Sequence, residues 1–300
     1  MANVIQKLFI FIGYFCLVNY FIINPNAGTN KVHQFKALIK LIEQNKEHKV
    51  LLTNKPQEAT TLANQAIQNG ASRIIAVGGD GTINEVAKAL VNTQIPLGII
   101  PIGSGNGLAR HLKIPLKHSA ALHLATNGPV QKMDVCYLNE QCFFCTAGIG
   151  FDASVAQKFA QGKGRGLINY IKATLATLSK YKPIMVSINN GPMEEVFSLT
   201  IANANQFGNN AYISPLSNVQ DGQLEIVKIN KIGLFNAFFI AIRLFLGNIH
   251  KSNNVTVITS NHINIKYQTG APFHLDGESL ITSNEQLTIT IKPLYLNVIC

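Results

Sequence analysis

Charge is scarce in this sequence. Asp, Glu, Lys and Arg together make up 13% of its 300 residues, and 15 acids stand against 25 bases. The resulting formal net charge of +10 directs the chain toward polyanions: anionic lipid surfaces, nucleic acid or nucleotide phosphates. No nucleic-acid-binding motif is present, so nucleic acid is not expected as a partner and a lipid surface fits better. Although 47% of the residues are apolar, no continuous apolar run is long enough to span a bilayer. Cysteine is sparse as well. Cys16, Cys136, Cys142, Cys145 and Cys300 are odd in number and lack the spacing of a disulfide framework. Cys142 and Cys145 form a lone C-x-x-C without a second pair, which speaks against zinc and for reduced, buried thiols. Also missing are H-E-x-x-H, G-x-S-x-G, the Walker lysine and a G-x-G-x-x-G fingerprint, since Leu108 stands where that fingerprint needs glycine.

What is present centres on two glycine-rich turns. VGGDGTINE at Val77–Glu85 follows the apolar run Arg73–Val77, and PIGSGNGLAR at Pro101–Arg110 follows Ile95–Ile100; each leads into a helical pattern. Such turns lie at the carboxyl ends of parallel strands, where open α/β sheets bind ligands. Glycines 78, 79 and 81 let the backbone approach a phosphate, and the helix that follows supplies N–H donors. Asp80 among those glycines would repel a nucleotide unless a cation bridged the two, which suggests Mg²⁺-assisted phosphoryl chemistry.

Strand and helix alternate from Tyr20: strands at Tyr20–Ile23, Lys49–Thr53 and Arg73–Val77, helices at Lys31–Glu43 and Pro56–Asn69. Alternation of this kind predicts a doubly wound α/β domain over residues 20–130. After Gly128 short strand-like runs and turns predict a β-sandwich domain over 131–292, including one strand at Gln141–Thr146. Two helical stretches interrupt it. Leu167–Lys180 carries an apolar stripe beside Lys172, Lys180 and Lys182, and either packs that stripe on the sheet or lies at a membrane interface. Ile232–Leu246, apolar nearly all round, is either buried between the domains or inserted shallowly into lipid. The apolar segment within residues 1–19 reads as a surface anchor, a packed extension or an early start, the last being preferred to a cleaved signal.

The ordered set NPNAG (Asn24–Gly28), GGDGT (Gly78–Thr82), GSGN (Gly103–Asn106), GIGFDA (Gly148–Ala153), VQDGQLEIV (Val219–Val227) and HLDGE (His274–Glu278) resembles the diacylglycerol kinase-like lipid kinases. The resemblance runs from about Tyr20 to Cys300. It implies an α/β plus β fold, with a phosphofructokinase/NAD kinase-like first domain, a β-sandwich second domain, and residues 293–300 returning to the first. It implies ATP and Mg²⁺ as cofactors and a lipid substrate met from the cytoplasm at the inner membrane face, with a homodimer left open. For the nucleotide it points to Asn24, Pro25, Asn26, Ala27, Gly28, Thr53, Gly79, Asp80, Gly81, Thr82, Ile83, Asn84, Glu85, Ser104, Gly105 and Asn106. Asp80 would engage Mg²⁺, probed as an exposed loop carboxylate whose loss leaves folding intact, and Glu278 would accept the proton of the lipid hydroxyl. A structural Mg²⁺ is implied at Asn218, Asp221 and Gln223, from the Asp221 carboxylate and neighbouring carbonyls. Taken alone, Glu278 and Asp221 also read as ordinary turn residues.

Two departures stand out. Gln220 replaces an acid that the family often carries, and Gly107 replaces the acid of a GTGND pattern. Ser154–Lys158 lacks the acids that sphingosine kinases use near there for a long-chain amine. Diacylglycerol is therefore the expected acceptor; a sphingoid or other lipid kinase, an NAD kinase and a catalytically silent lipid-binding homologue are the alternatives.

Overall fold

The computed structural model describes residues 18–28, 32–162, 164, 166–267, 270–281 and 284–300. The segment 1–17, on which three readings were offered, lies outside the described residues. The first lobe begins with β1 (Asn19–Ile23), α1 (Val32–Glu43), β2 (His48–Leu52), α2 (Glu58–Gln68), β3 (Arg73–Gly78), α3 (Asp80–Leu90) and β4 (Leu97–Pro101), followed by α4 (Gly107–His111) and α5 (His118–Asn127). The four strands are parallel in the order β2-β1-β3-β4. Continuous apolar runs such as RIIAV become strands here because helices cover both faces, and Ile74, Ile75, Ala76 and Val77 lose all solvent contact. In α3, Ile83, Val86, Ala87 and Leu90 recur at helical spacing and are buried against this sheet.

The second lobe is a β-sandwich. It contains β5 (Val130–Leu138), β6 (Gln141–Phe143), β7 (Thr146–Gly150), α6 (Phe151–Gln161), α7 (Leu167–Leu178), β8 (Ile184–Ile188), β9 (Glu194–Ala202), β10 (Leu224–Asn230), α8 (Leu234–Phe245), β11 (Val255–Ser260), β12 (His262–Tyr267), β13 (Phe273–Leu275), β14 (Glu278–Leu280) and β15 (Gln286–Ile299). Its pairing runs β14-β13-β7-β9-β8-β12-β15, with β10 attached to β9 and β11 to β10.

Two elements differ from the sequence expectation, and two others are decided between open alternatives. The run at Gln141–Thr146 is not one strand: β6 stops at Phe143, and the N–H groups of Phe144, Cys145 and Thr146 instead donate to the Asp276 carboxylate at 2.7 to 3.0 Å. Residues 151–161 form a helix that the glycine-rich GIGFDA masked. Neither long apolar helix is sequestered: α7 leaves Ile168 and Leu175 exposed, and α8 leaves Phe235, Phe238 and Phe245 exposed rather than buried between lobes.

β15 joins the lobes. Residues 286–290 pair with β12, residues 289–299 pair with β5 on both sides of a kink, and Val298 meets Leu97 of β4 in parallel register. The change of sheet occurs at Lys292–Leu296, where the register slips, Pro293 withholds a donor and Leu294 takes a φ of 52°. Asp134, wholly buried on β5, secures that kink by accepting the Leu294 N–H at 2.7 Å and the Gly222 N–H at 2.8 Å. Beyond the kink, Leu296 is buried in the first-lobe core. Leu296→Ala is expected to cost about 2–5 kcal/mol through lost burial and a residual cavity, read as a lower denaturation midpoint at constant m-value.

Candidate active site

The carboxyl ends of β1, β3 and β4 bring their three turns together. Asn24 donates its backbone N–H to Val77 O at 3.0 Å and its side-chain amide to Thr82 Oγ1 at 3.1 Å, while its Oδ1 accepts the Asn26 N–H at 2.9 Å. Pro25, Asn26 and Gly28 remain exposed, with Ala27 half-buried between them. Gly28 has a φ of +85°, and a Cβ there would lie 2.6 Å from Ile102 O, so only glycine permits the approach. Thr53, almost fully buried, donates its N–H to Ile23 O at 2.9 Å and so holds the end of β2 beside β1.

The two glycine turns touch directly. A Cβ on Gly103 would fall 2.6 Å from Gly79 Cα. Asp80, the first residue of α3, then clamps them: its Oδ2 accepts the Asn106 N–H at 2.8 Å and its Oδ1 the Gly107 N–H at 2.7 Å. Burial pushes the Asp80 carboxyl above its ordinary range, and these N–H bonds, its own N–H and Arg110 oppose that rise. Asp80 is thus not the freely exposed loop carboxylate expected from sequence. It fixes the geometry of both turns.

The remaining predicted contacts separate by what their side chains touch. Gly81 and Thr82 place first-turn N–H groups, which lack intrahelical partners, toward the loop cluster. Ile83 is wholly buried and Asn84 nearly so. Glu85 is already engaged, its carboxylate receiving the Gln57 N–H at 3.1 Å and the Ala59 N–H at 2.9 Å at the start of α2. Neither Ile83 nor Glu85 therefore offers its side chain to a phosphate. Ser104 is exposed at the tip of the second turn, beside Gly105, and Asn106 is buried in a left-handed conformation with its amide donating to Gly103 O at 2.9 Å.

Glu278 reaches this cluster from the other lobe. It opens β14 after the Asp276-Gly277 turn, both of whose residues have positive φ, and a Cβ placed on Gly81 would lie 3.7 Å from Glu278 Oε1. The turn is anchored behind by Asp276 on the 144–146 N–H groups and by buried His274, whose Nε2 lies 3.2 Å from Asp152 Oδ2, an oxygen that also accepts the Thr200 hydroxyl at 2.7 Å. Asp152 thereby sets this hairpin.

A second contact between lobes went unnoticed in the sequence. Residues 203–211 fold over the second glycine turn: the Asn209 N–H donates to Gly105 O at 3.1 Å, Arg110 reaches Asn210 Oδ1 at 3.1 Å, and His111 Nδ1 accepts the Asn205 N–H at 3.0 Å. A Cβ on Gly107 would stand 3.1 Å from Phe207 O. A side chain at this position would crowd the covering segment, which would have to yield by a few tenths of an ångström.

For a hard cation the donor set at the cleft fits in kind. Asp80 would supply carboxylate oxygens, and Asn106 Oδ1 is a buried acceptor without a donor. At the second predicted metal position the set is thin. Asp221 is exposed and accepts the Gln223 N–H at 2.9 Å, Asn218 Oδ1 is turned to the Gln220 N–H, and Gln220 donates its amide to Lys132 O at 2.8 Å, away from Asp221. Among the described residues no three His, Cys, Asp or Glu side chains gather as a metal cluster.

Glycine-rich turns gathered at the edge of a parallel sheet, faced by a carboxylate from a β-rich lobe, are the architecture of a two-lobed phosphotransferase. The family model for the diacylglycerol kinase catalytic domain matches residues 19–138, and that for the YegS C-terminal NAD kinase beta sandwich-like domain matches residues 145–300. The chain is 29% identical over 286 residues to a protein of Enterobacter sp. (strain 638) named as a probable YegS-like lipid kinase, covering 92% of this chain and 93% of the relative. It is 28% identical over 271 residues to the diacylglycerol kinase of Bacillus subtilis (strain 168), covering 86% and 88%. A crystal structure of a diacylglycerol kinase from Bacillus anthracis str. Sterne aligns with a TM-score of 0.72 at 23% identity, over 94% of this chain and 96% of that one, a likeness of fold. The chain belongs to the diacylglycerol kinase-like lipid kinase family.

Asp80→Asn is expected to cost about 1–3 kcal/mol of stability, because an amide NH₂ must then face one of two backbone N–H groups; equilibrium unfolding measures it. The His111 contact predicts a pH effect. Burial lowers the His111 pKa below its ordinary 6.5, and Nδ1 can accept from Asn205 only when unprotonated. The unfolded chain therefore binds the proton more readily, so this contribution is complete above about pH 6.5 and is lost as pH falls through the lowered folded value. Unfolding curves should show wild type losing more stability than His111→Gln between neutral and mildly acid pH.

Proposed function

We propose that this chain transfers the γ-phosphate of ATP to a lipid hydroxyl, with diacylglycerol the acceptor and phosphatidic acid the product, working from the cytoplasm at the inner face of the membrane. The observation that carries the proposal is the position of Glu278, whose carboxylate stands over the first turn of α3 across the strip that Gly81 leaves open. A lipid hydroxyl entering between the lobes meets Glu278 on one side and a phosphate held at Gly79–Thr82 on the other. Glu278 accepts the hydroxyl proton as the oxygen attacks the γ-phosphorus, and the bond to the β–γ bridging oxygen breaks to release ADP. The α3 N-terminus stabilises the transferring charge through its free N–H groups and dipole. Mg²⁺, when bound, would supply the neutralisation that phosphoryl transfer requires, and the Asp80 carboxylate and Asn106 Oδ1 are the oxygen donors that would hold it.

The acceptor assignment rests on the surroundings of α6. Ser154 donates its hydroxyl to Gly150 O at 2.9 Å, Val155 and Ala156 are buried, and the nearby Asp152 is taken up by His274 and Thr200. No carboxylate on Ser154–Lys158 offers itself to a long-chain ammonium. Labelled ATP supplied with diacylglycerol, sphingosine and NAD separates the readings: diacylglycerol is expected to give the highest kcat/KM, and a preference for sphingosine would overturn the acceptor. Glu278→Gln is expected to lower kcat by about 10²-fold or more with little change in the KM for ATP; wild-type turnover would remove Glu278 from the chemistry.

A further inference from the structure

The helices α7 and α8 carry apolar residues on the side that the protein does not cover. On α8, Phe235, Phe238, Phe239, Ile242, Phe245 and Leu246 fall at helical spacing on one face, and Phe235 and Phe238 are 76% and 62% exposed. Only Ala237 and Ile240 of this helix are buried, so the core holds α8 by one narrow stripe. On α7, Ile168, Ile171 and Leu175 make a second outward stripe, Ile168 being 72% exposed, while Ala173 alone is buried. The two helices approach each other at their ends. A small cavity lined by Leu178, Tyr181, Pro183, Phe197, Ile232 and Leu234 joins the end of α7 to the start of α8.

Within the two helical segments themselves the charge has one sign. No Asp or Glu occurs in residues 158–182 or 231–251, whereas Lys158, Lys172, Lys180, Lys182, Arg243 and Lys251 do. At 12 residues each, both helices reach only about 18 Å and cannot cross a bilayer. Short helices with a broad apolar face and basic flanks lie in the plane of a membrane interface, with the aromatic side chains among the acyl chains and the lysines at the phosphates. The placement relative to Glu278 agrees: α6 packs against both α7 and β14, so one helix separates the outward face of α7 from the strand that carries Glu278.

We infer that the outer faces of α7 and α8 form a single docking surface for an anionic lipid bilayer, bringing the cleft above the membrane so that an acceptor lipid is lifted past α6 toward Glu278. The inference rests on the lipid kinase reading for its purpose but not for its test. Co-sedimentation with phosphatidylcholine vesicles, with and without phosphatidylglycerol, reports docking without any turnover. Wild type is expected to bind the anionic vesicles and to release as salt rises. F235S/F238S, two changes on the exposed face, should weaken that binding by about tenfold or more. K172E/K180E should abolish the preference for anionic over neutral vesicles. Turnover of long-chain diacylglycerol in vesicles should fall in step with binding in both variants, while turnover of a water-soluble short-chain diacylglycerol stays at the wild-type rate. Unchanged vesicle binding in F235S/F238S would overturn the docking surface, as would conversion of a dimer to a monomer with undiminished vesicle binding, which would assign the face to a second copy of this chain. Absence of turnover by wild type on the short-chain substrate would count against the acceptor alone.

Discussion

The Asp80 carboxylate is the constraint on which the cleft depends. Two glycine turns from different strands are conformationally loose segments that need a tie between them. One buried carboxylate with an N–H bond on each oxygen provides it, at 2.8 and 2.7 Å. Charge-assisted bonds of this kind are about twice as strong as neutral ones. They fix where the α3 N-terminus, the Asn106 carbonyl oxygen and the second turn stand relative to one another. The residue that best marks phosphoryl chemistry in the sequence is thus also a structural clamp, and loss of activity at position 80 would have two physical sources.

The second lobe is fastened to that clamp rather than merely set beside it. Residues 203–211 lie on the second glycine turn, Gly208 meeting Gly105 backbone to backbone and His111 bonding to Asn205. Glu278 approaches from the same lobe on a hairpin held by Asp276 and by the Asp152–His274 pair. The distance between the carboxylate and the phosphate cradle is therefore set by short polar contacts on both sides of the cleft. Gly107 belongs to this arrangement: a bulkier, acidic residue there would crowd the covering segment.

Much of this was legible in the residues themselves. Uninterrupted apolar runs between helical patterns have one stable arrangement, a parallel sheet covered on both faces, and Arg73–Val77 and Ile95–Ile100 showed it plainly. The glycine spacing placed the two turns at its edge. What stayed hidden has physical reasons. Helix α6 begins directly after two glycines in a strand and carries a weakly periodic sequence, FDASVAQKFAQ, so its pattern was lost. The β13–β14 hairpin has strands of three residues each, too short for a period to show. Whether a carboxylate is free or spent depends on chain segments far away in sequence: Glu85 serves α2, and Asp80 serves a loop 26 residues on. Exposure of the α7 and α8 stripes was equally invisible, since an apolar face reads alike whether protein or lipid covers it.

The kinked course of β15 bears on how the protein is made. The strand that lies beside β4 in the first sheet is translated only after the whole second lobe, because residues 102–285 separate the two. Until then the growing chain carries a parallel sheet with an open edge, a surface that recruits other strands. Closure of the first lobe is therefore a late event in synthesis, and ribosomes that stop short of the final strand release a product whose nucleotide-binding half is complete in sequence yet unsealed along β4.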